Sequence, residues 1–426
     1  MSVQRRKLYH CTTNANSQTK MRPPLSLYIC VVAVFRATHG LDNGLALTPP
    51  MGFLSWERFG CNVDCQRDPD NCISERLYRS IADVMVSDGY RDLGYVYVNI
   101  DDCWSAKSRD QQGNLQPDPD RFPSGMLNLS SYMHSRGLKL GIYGDVGTET
   151  CGGYPGSQNF LQQDAQTFAD WGIDLLKFDG CHSSRENLAK YYPEMSRQLN
   201  RTGRSILYSC SWASYDILNT QRMYESNKKY CNTWRNFFDI QDSWRSVLEV
   251  IFYYGIDLGN FSGVAGPGGF NDPDQLVIGD FSLSYDQEKV QFGMWAMFAA
   301  PLYISADLRT MRPEAKAILQ NRNVIAINQD PRGQQASFQI KIENIQVWTK
   351  ALSFPGSYAI AFLNPESGGT PTSVTLTLSQ IKLTNQNGYN ISDVFDDTPI
   401  GTYKIADKFS ISVNPEGIVL LKIVPL

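Results

Sequence analysis

Short β-rich runs, each ending in polar or acidic residues, alternate with helical patterns through the first two-thirds of this 426-residue chain. That alternation constrains the fold more than any other feature. Tyr95–Ile100 leads into Asp101 and Asp102, Leu138–Tyr143 into Gly144 and Asp145, Asp174–Phe178 into Asp179, and Ser205–Cys210 into Ser211. Between and beyond these runs the spacing predicts helices over Ser74–Ser87, Phe160–Trp171, Arg185–Leu199 and Tyr285–Ala299. In the first of these, Leu77, Ile81, Val84 and Met85 recur on one helical face. Strands that alternate with helices imply βαβ units and a parallel sheet. Roughly eight such units predict a (β/α)8 barrel over 41–333, in which chemistry gathers at the C-terminal ends of the strands. After Asp330-Pro331-Arg332-Gly333 the texture changes. Phe338–Trp348, Ser357–Leu363, Ser373–Leu378 and Phe409–Ile423 alternate or run apolar, with Gly, Pro and Asn between them. They predict a C-terminal antiparallel β-sandwich domain over 334–426.

Residues 1–40 have a different composition. They hold Arg5, Arg6, Lys7, Lys20, Arg22 and Arg36, no acidic residue, and an apolar run from Leu25 to Phe35. The run is too short to span a bilayer and has the length of a signal-peptide core, so cleavage is expected near Gly40, with Met21 as an alternative start. Removal would leave 33 basic against 43 acidic residues. That balance provides no basic surplus for nucleic acid or anionic membrane. No later run of about 18 apolar residues appears, so no membrane insertion is expected. Eight cysteines would remain, and an even number on a secretory route implies disulfides, in any of 105 pairings. A metal site needs clustered thiolates and imidazoles. Only His134, at a helix end, and His182, just beyond Asp179, survive processing, so neither metal nor cofactor is expected. Glycosylation sequons stand at Asn128, Asn200, Asn260 and Asn390.

The chain has no G-x-S-x-G, H-E-x-x-H or Walker loop. What recurs instead is aspartate at strand ends: Asp101, Asp102, Asp179, Asp239 and Asp274. Glycoside hydrolysis needs two carboxyl groups and no cofactor, and neighbouring Trp and Tyr suit the apolar face of a sugar. Any one of these aspartates could equally serve as a helix cap or turn residue. Composition alone does not choose the nucleophile.

Longer motifs narrow the reading. LDNGLALTPPMGFLSWERFGCNVDC, NIDDCW, GLKLGIYGDVG, DAQTFADWGIDLLKFDGC, WRNFFDIQDSW, AGPGGFNDPDQLVIG and AAPLYISADLR resemble the animal α-galactosidase/α-N-acetylgalactosaminidase family, glycoside hydrolase family 27, from Leu41 to Gly333 and more weakly to the C-terminus. The resemblance implies a retaining exo-glycosidase acting on glycans, a homodimer, lysosomal delivery through the secretory pathway (or secretion) and an acidic optimum. It aligns the nucleophile with Asp179 and the acid/base with Asp239. Asp101 and Asp102 match the pair that binds sugar hydroxyls. Trp56, Tyr143, Cys151, Lys177, Tyr215, Arg235 and Asp274 fall on pocket positions. It implies the pairs Cys61–Cys103, Cys65–Cys72, Cys151–Cys181 and Cys210–Cys231. In this family α-galactosidases carry Glu and Leu where this chain has Ser211 and Ser214, and α-N-acetylgalactosaminidases carry Ser and Ala. Two small residues leave room for an acetamide, so N-acetylgalactosamine is the expected sugar, with α-galactose also accepted. Ser214 in place of Ala implies a more polar wall there, and Gln275 stands where the family has Met.

Overall fold

A computed structural model describes residues 41–215 and 221–426, and the expected signal segment lies outside them. Eight parallel strands follow one another around a ring: β1 (Met51–Leu54), β2 (Tyr97–Asn99), β3 (Lys139–Asp145), β4 (Leu175–Asp179), β5 (Leu207–Cys210), β6 (Thr233–Arg235), β7 (Phe270–Asp272) and β8 (Leu302–Ile304). β8 pairs back onto β1, and the continuation of β7 closes the ring through a parallel bridge between Leu276 and Ile304. This is a (β/α)8 barrel. Its register sets Tyr143 beside Lys177, Asp145 beside Asp179 and Arg235 beside Asp272, so these residues line the same end of the barrel.

The helices form where the periodicity places them. Glu75–Ser87 starts at Ser74, whose side chain accepts from Leu77 N, and it buries Leu77, Ile81 and Met85. Tyr285–Met297 opens with a capping box between Ser284 and Gln287 and is buried around most of its circumference. A helix buried on all sides needs a second layer over it. That layer is the C-terminal domain: a Cβ at Gly293 would meet Ile418 Cδ1 at 3.0 Å.

The C-terminal domain holds β9 (Ser337–Ile342), β10 (Ile345–Ala351), β11 (Tyr358–Asn364), β12 (Thr372–Thr377), β13 (Tyr389–Asp393), β14 (Pro399–Tyr403), β15 (Lys408–Val413) and β16 (Gly417–Pro425). Six of them form a sheet in the order β14-β13-β16-β11-β10-β9, and β12 pairs with β15 in a second sheet. Val347, Ile360 and Phe362 from the first share a core with Val374, Leu376 and Phe409 from the second. Two of the expected strands are in fact hairpin pairs. Phe338–Trp348 bends at Glu343, which takes a left-handed φ of 51°, and Phe409–Ile423 bends at Glu416, with φ 52°. One further contact joins the layers. Lys350, on β10, is fully buried, and its Nζ donates to Ala296 O and Ile327 O, each at 2.8 Å. These carbonyls belong to the last turns of helices Tyr285–Met297 and Arg322–Asn328. Burial pushes the ammonium down to about 7.

Candidate active site

Asp179 ends β4, and its carboxylate is held from three directions. Oδ1 accepts from Tyr215 Oη at 2.8 Å and from Gly180 N at 2.9 Å; Oδ2 accepts from Tyr143 Oη at 3.0 Å. Burial keeps both phenols far above their ordinary range, so they remain donors. The Cys151–Cys181 bridge lies against the same carboxylate, with Cys151 Sγ 3.5 Å from Oδ2. Both sulfurs are bonded to each other, so neither offers a proton or a thiolate.

Lys177, two residues back on β4, faces the same side, as strand pleating requires. Its Nζ lies 2.6 Å from Asp101 Oδ2. Burial works against this ammonium, but the carboxylates of Asp101, Asp179 and Asp274 outweigh it and raise its proton affinity. Asp101 and Asp102 follow β2, and both are buried and pushed up by desolvation. Asp102 Oδ2 accepts from Gly152 N at 2.7 Å. A Cβ on Gly152 would meet Cys103 Sγ at 2.8 Å, so only glycine permits this approach.

Asp239 lies beyond β6, two strands further around the ring. Its side chain is 68% exposed, and Arg235 Nη2 donates to Oδ1 at 2.9 Å. The guanidinium holds this carboxyl below its ordinary range. Asp274 braces the arrangement from beneath. Its Oδ2 lies 3.0 Å from Arg235 Nη2 and accepts from Ile240 N at 2.9 Å. Asp274 adopts φ 78°, a costly conformation for a residue with a side chain and one found where a site is over-determined. Trp56 is half-buried at the first position of the short helix after β1.

Sequence reasoning left two carboxyls unassigned. Asp145 is fully buried at the end of β3, with its oxygens on Gly147 N (2.6 Å) and Cys181 N (3.0 Å). Burial, then the Asp179 charge beside it, push it up to about 9. Asp272, buried at the end of β7, is raised by desolvation to about 6. The signal for Asp145 was present, because it ends its strand as Asp179 ends the next. His134 closes a helix at the surface, 2.7 Å from Asp174, away from the site. His182 follows Cys181 with φ 47°.

The barrel matches a family model described as alpha galactosidase A over residues 48–330, and the C-terminal strands match the alpha galactosidase C-terminal beta sandwich domain over 343–423. The chain belongs to the α-galactosidase family. Relatives in that family include alpha-galactosidase A from Homo sapiens, 49% identical over 90% of this chain and 90% of its own length. Alpha-N-acetylgalactosaminidase from Gallus gallus is also 49% identical, over 90% and 95%. The alpha-galactosidase I structure from Mortierella vinacea superimposes with a TM-score of 0.80 at 29% identity, covering 90% of this chain and 98% of that one.

These two relatives, named for different activities, are thus equally similar overall, so identity alone does not choose between them. Ser211, buried after β5, and half-buried Ser214 lie in a short turn. Ser214 Oγ donates to Ser211 O at 2.7 Å. Its proton is therefore spent within the turn, which presents less polarity than a free hydroxyl would. The Cys210–Cys231 bridge anchors the turn at its start. Cys61–Cys103 and Cys65–Cys72 tie the loop after β1 to β2 and to itself. Asn128, Asn200, Asn260 and Asn390 are all exposed.

Proposed function

We propose that this protein is a retaining exo-glycosidase that removes terminal α-linked N-acetylgalactosamine, and α-galactose as well, from glycolipids, glycoproteins or oligosaccharides. The observation that carries this reading is the paired environment of two carboxyls. Asp179 accepts from three donors that fix its direction, as a nucleophile at an anomeric carbon requires. Asp239 is largely exposed, as a group that must meet the leaving oxygen requires. In the first step Asp239, which must first take up a proton against the pull of Arg235, gives it to the departing oxygen while Asp179 attacks the anomeric carbon. In the second, Asp239 takes a proton from water, and that water displaces Asp179. Lys177 and Asp101 hold each other, and Asp101 and Asp102 would accept from the sugar's hydroxyls.

The preference for the acetamide rests on Ser211 and Ser214. Their short side chains leave space that Glu and Leu would fill, and the Ser211 hydroxyl can bond the N-acetyl group. Turnover of aryl α-N-acetylgalactosaminide and aryl α-galactoside tests the assignment. Both should be cleaved, the first faster; cleavage of the galactoside alone would overturn the sugar preference, and binding without turnover would overturn the enzyme reading. Ser211→Glu with Ser214→Leu should invert the preference, and unchanged selectivity would show that this turn does not decide it.

The four disulfides, the exposed sequons and the acidic balance support work in an acidic compartment of the secretory route or outside the cell. Among the described residues no helix is long and apolar enough to cross a membrane. The protein should assemble as a homodimer, which sedimentation would check.

A further inference from the structure

The loop that carries Asp239 also carries an exposed aromatic ring. Phe238 is 58% exposed, although Asn236 and Ile240 on either side of it are buried. The ring is supported rather than loose: its centroid lies 5.1 Å from that of Phe237, and Phe237 stacks on Tyr253 at 4.6 Å. The backbone beneath is fastened at both ends. Arg235 Nη2 donates to Phe237 O at 3.3 Å, and Ile240 N donates to Asp274 Oδ2. The acidic groups nearby on the rim are already engaged. Asp242 accepts from Phe281 N at 3.0 Å, and Glu57 accepts from Asp242 N at 2.7 Å. The Phe238 ring is the large exposed apolar group of this segment.

We propose that Phe238 is a specificity residue for the leaving group, its ring stacking on the apolar face of the penultimate sugar. The inference rests on the reading of Asp239 as the acid/base. An acid that protonates the glycosidic oxygen must touch it, so the first atoms of the aglycone lie against this loop. The Cα atoms of Phe238 and Asp239 are about 3.8 Å apart, as for any trans neighbours, so a ring there is within reach of the next sugar. A pre-fixed ring loses little freedom on binding, so its stacking is realised almost in full. Aromatic stacking of this kind corresponds to about a three- to tenfold change in kcat/KM.

Three substrates separate the possibilities: the α-glycosyl fluoride, which has no aglycone face and needs no acid; the 4-nitrophenyl glycoside; and a disaccharide with the same terminal sugar. Phe238→Ala should lower kcat/KM for the disaccharide by about three- to tenfold, mainly through KM, and leave the fluoride unchanged. Phe238→Tyr should restore the disaccharide, and Phe238→Leu should restore it in part. Equal losses on all three substrates, with or without a lower sedimentation mass, would make the ring a support for the loop or for a subunit contact and overturn the proposal. No loss on any substrate would overturn it as well. The parent protein separates this from the underlying reading: if it fails to hydrolyse the fluoride, the glycosidase assignment itself fails, whatever Phe238 does.

Discussion

The two carboxyls proposed to carry the reaction are held in opposite ways. Around Asp179 the barrel is stiff: two phenols, a backbone N–H and a disulfide converge on a carboxylate at the end of a five-residue strand. Around Asp239 the support is a single guanidinium, itself balanced from below by Asp274, and the side chain faces solvent. The difference teaches what each role demands. A nucleophile needs one charge state and one direction. An acid/base must change its protonation twice per turnover and let one partner leave and water enter, so it stands at the rim on a partly free side chain.

The contrast breaks most sharply at the nucleophile. Asp179→Ala should lower kcat by at least about 10⁴-fold while the melting temperature holds; full activity would remove Asp179 from the reaction. Asp239→Asn should cost about 10²–10⁴-fold on substrates with poor leaving groups and much less on a dinitrophenyl glycoside. An equal loss on both would mean that Asp239 is not the acid. Removing the bridge with Cys151→Ala and Cys181→Ala should lower stability by about 2–5 kcal/mol, measured by denaturant unfolding, and should also reduce activity because the bridge lies against Asp179. Loss of stability alone would confine it to a structural part.

The smallest effect concerns pH. Asp145 is raised to about 9 in the folded chain, against about 3.9 for an unperturbed aspartate. Between those values the folded chain keeps a proton that the unfolded chain releases, so stability falls as pH rises through that window. Asp145→Asn removes this dependence. The parent should lose a few degrees more of melting temperature between pH 5 and pH 8 than the variant does, and parallel curves would show that Asp145 is ionised throughout.

Much of this arrangement was legible from residue order. The strand-end rule found Asp101, Asp102, Asp179 and Asp274 without reference to any relative, because parallel strands all deliver their last residues to one face. It did not rank them. Asp145 obeyed the same rule, yet nothing in the sequence distinguishes a carboxyl that touches substrate from one that takes two backbone N–H groups behind it. Phe238 read only as part of a motif, since its exposure depends on how Phe237 and Tyr253 stack. The hairpin bends at Glu343 and Glu416 were passed over although Asn344 follows the first and Asn414, Pro415 and Gly417 surround the second, because the left-handed φ falls on a glutamate, which does not by itself mark a turn. The partner of Ser214 Oγ was hidden for a similar reason: it is a carbonyl three residues back, visible only once the turn is formed.

Lys350 has a consequence for how the molecule comes apart. A strand of one domain places its ammonium on the closing carbonyls of two helices of the other, and Asp330 fastens Ser353 beside it through both N and Oγ. Pulling the β-sandwich away would strand a buried cation and two bare carbonyls in the same event, and would open the covered side of helix Tyr285–Met297 to water. The two domains should therefore share a single calorimetric transition, and Lys350→Ala should split it in two, because the barrel and the sandwich would then no longer have to melt together.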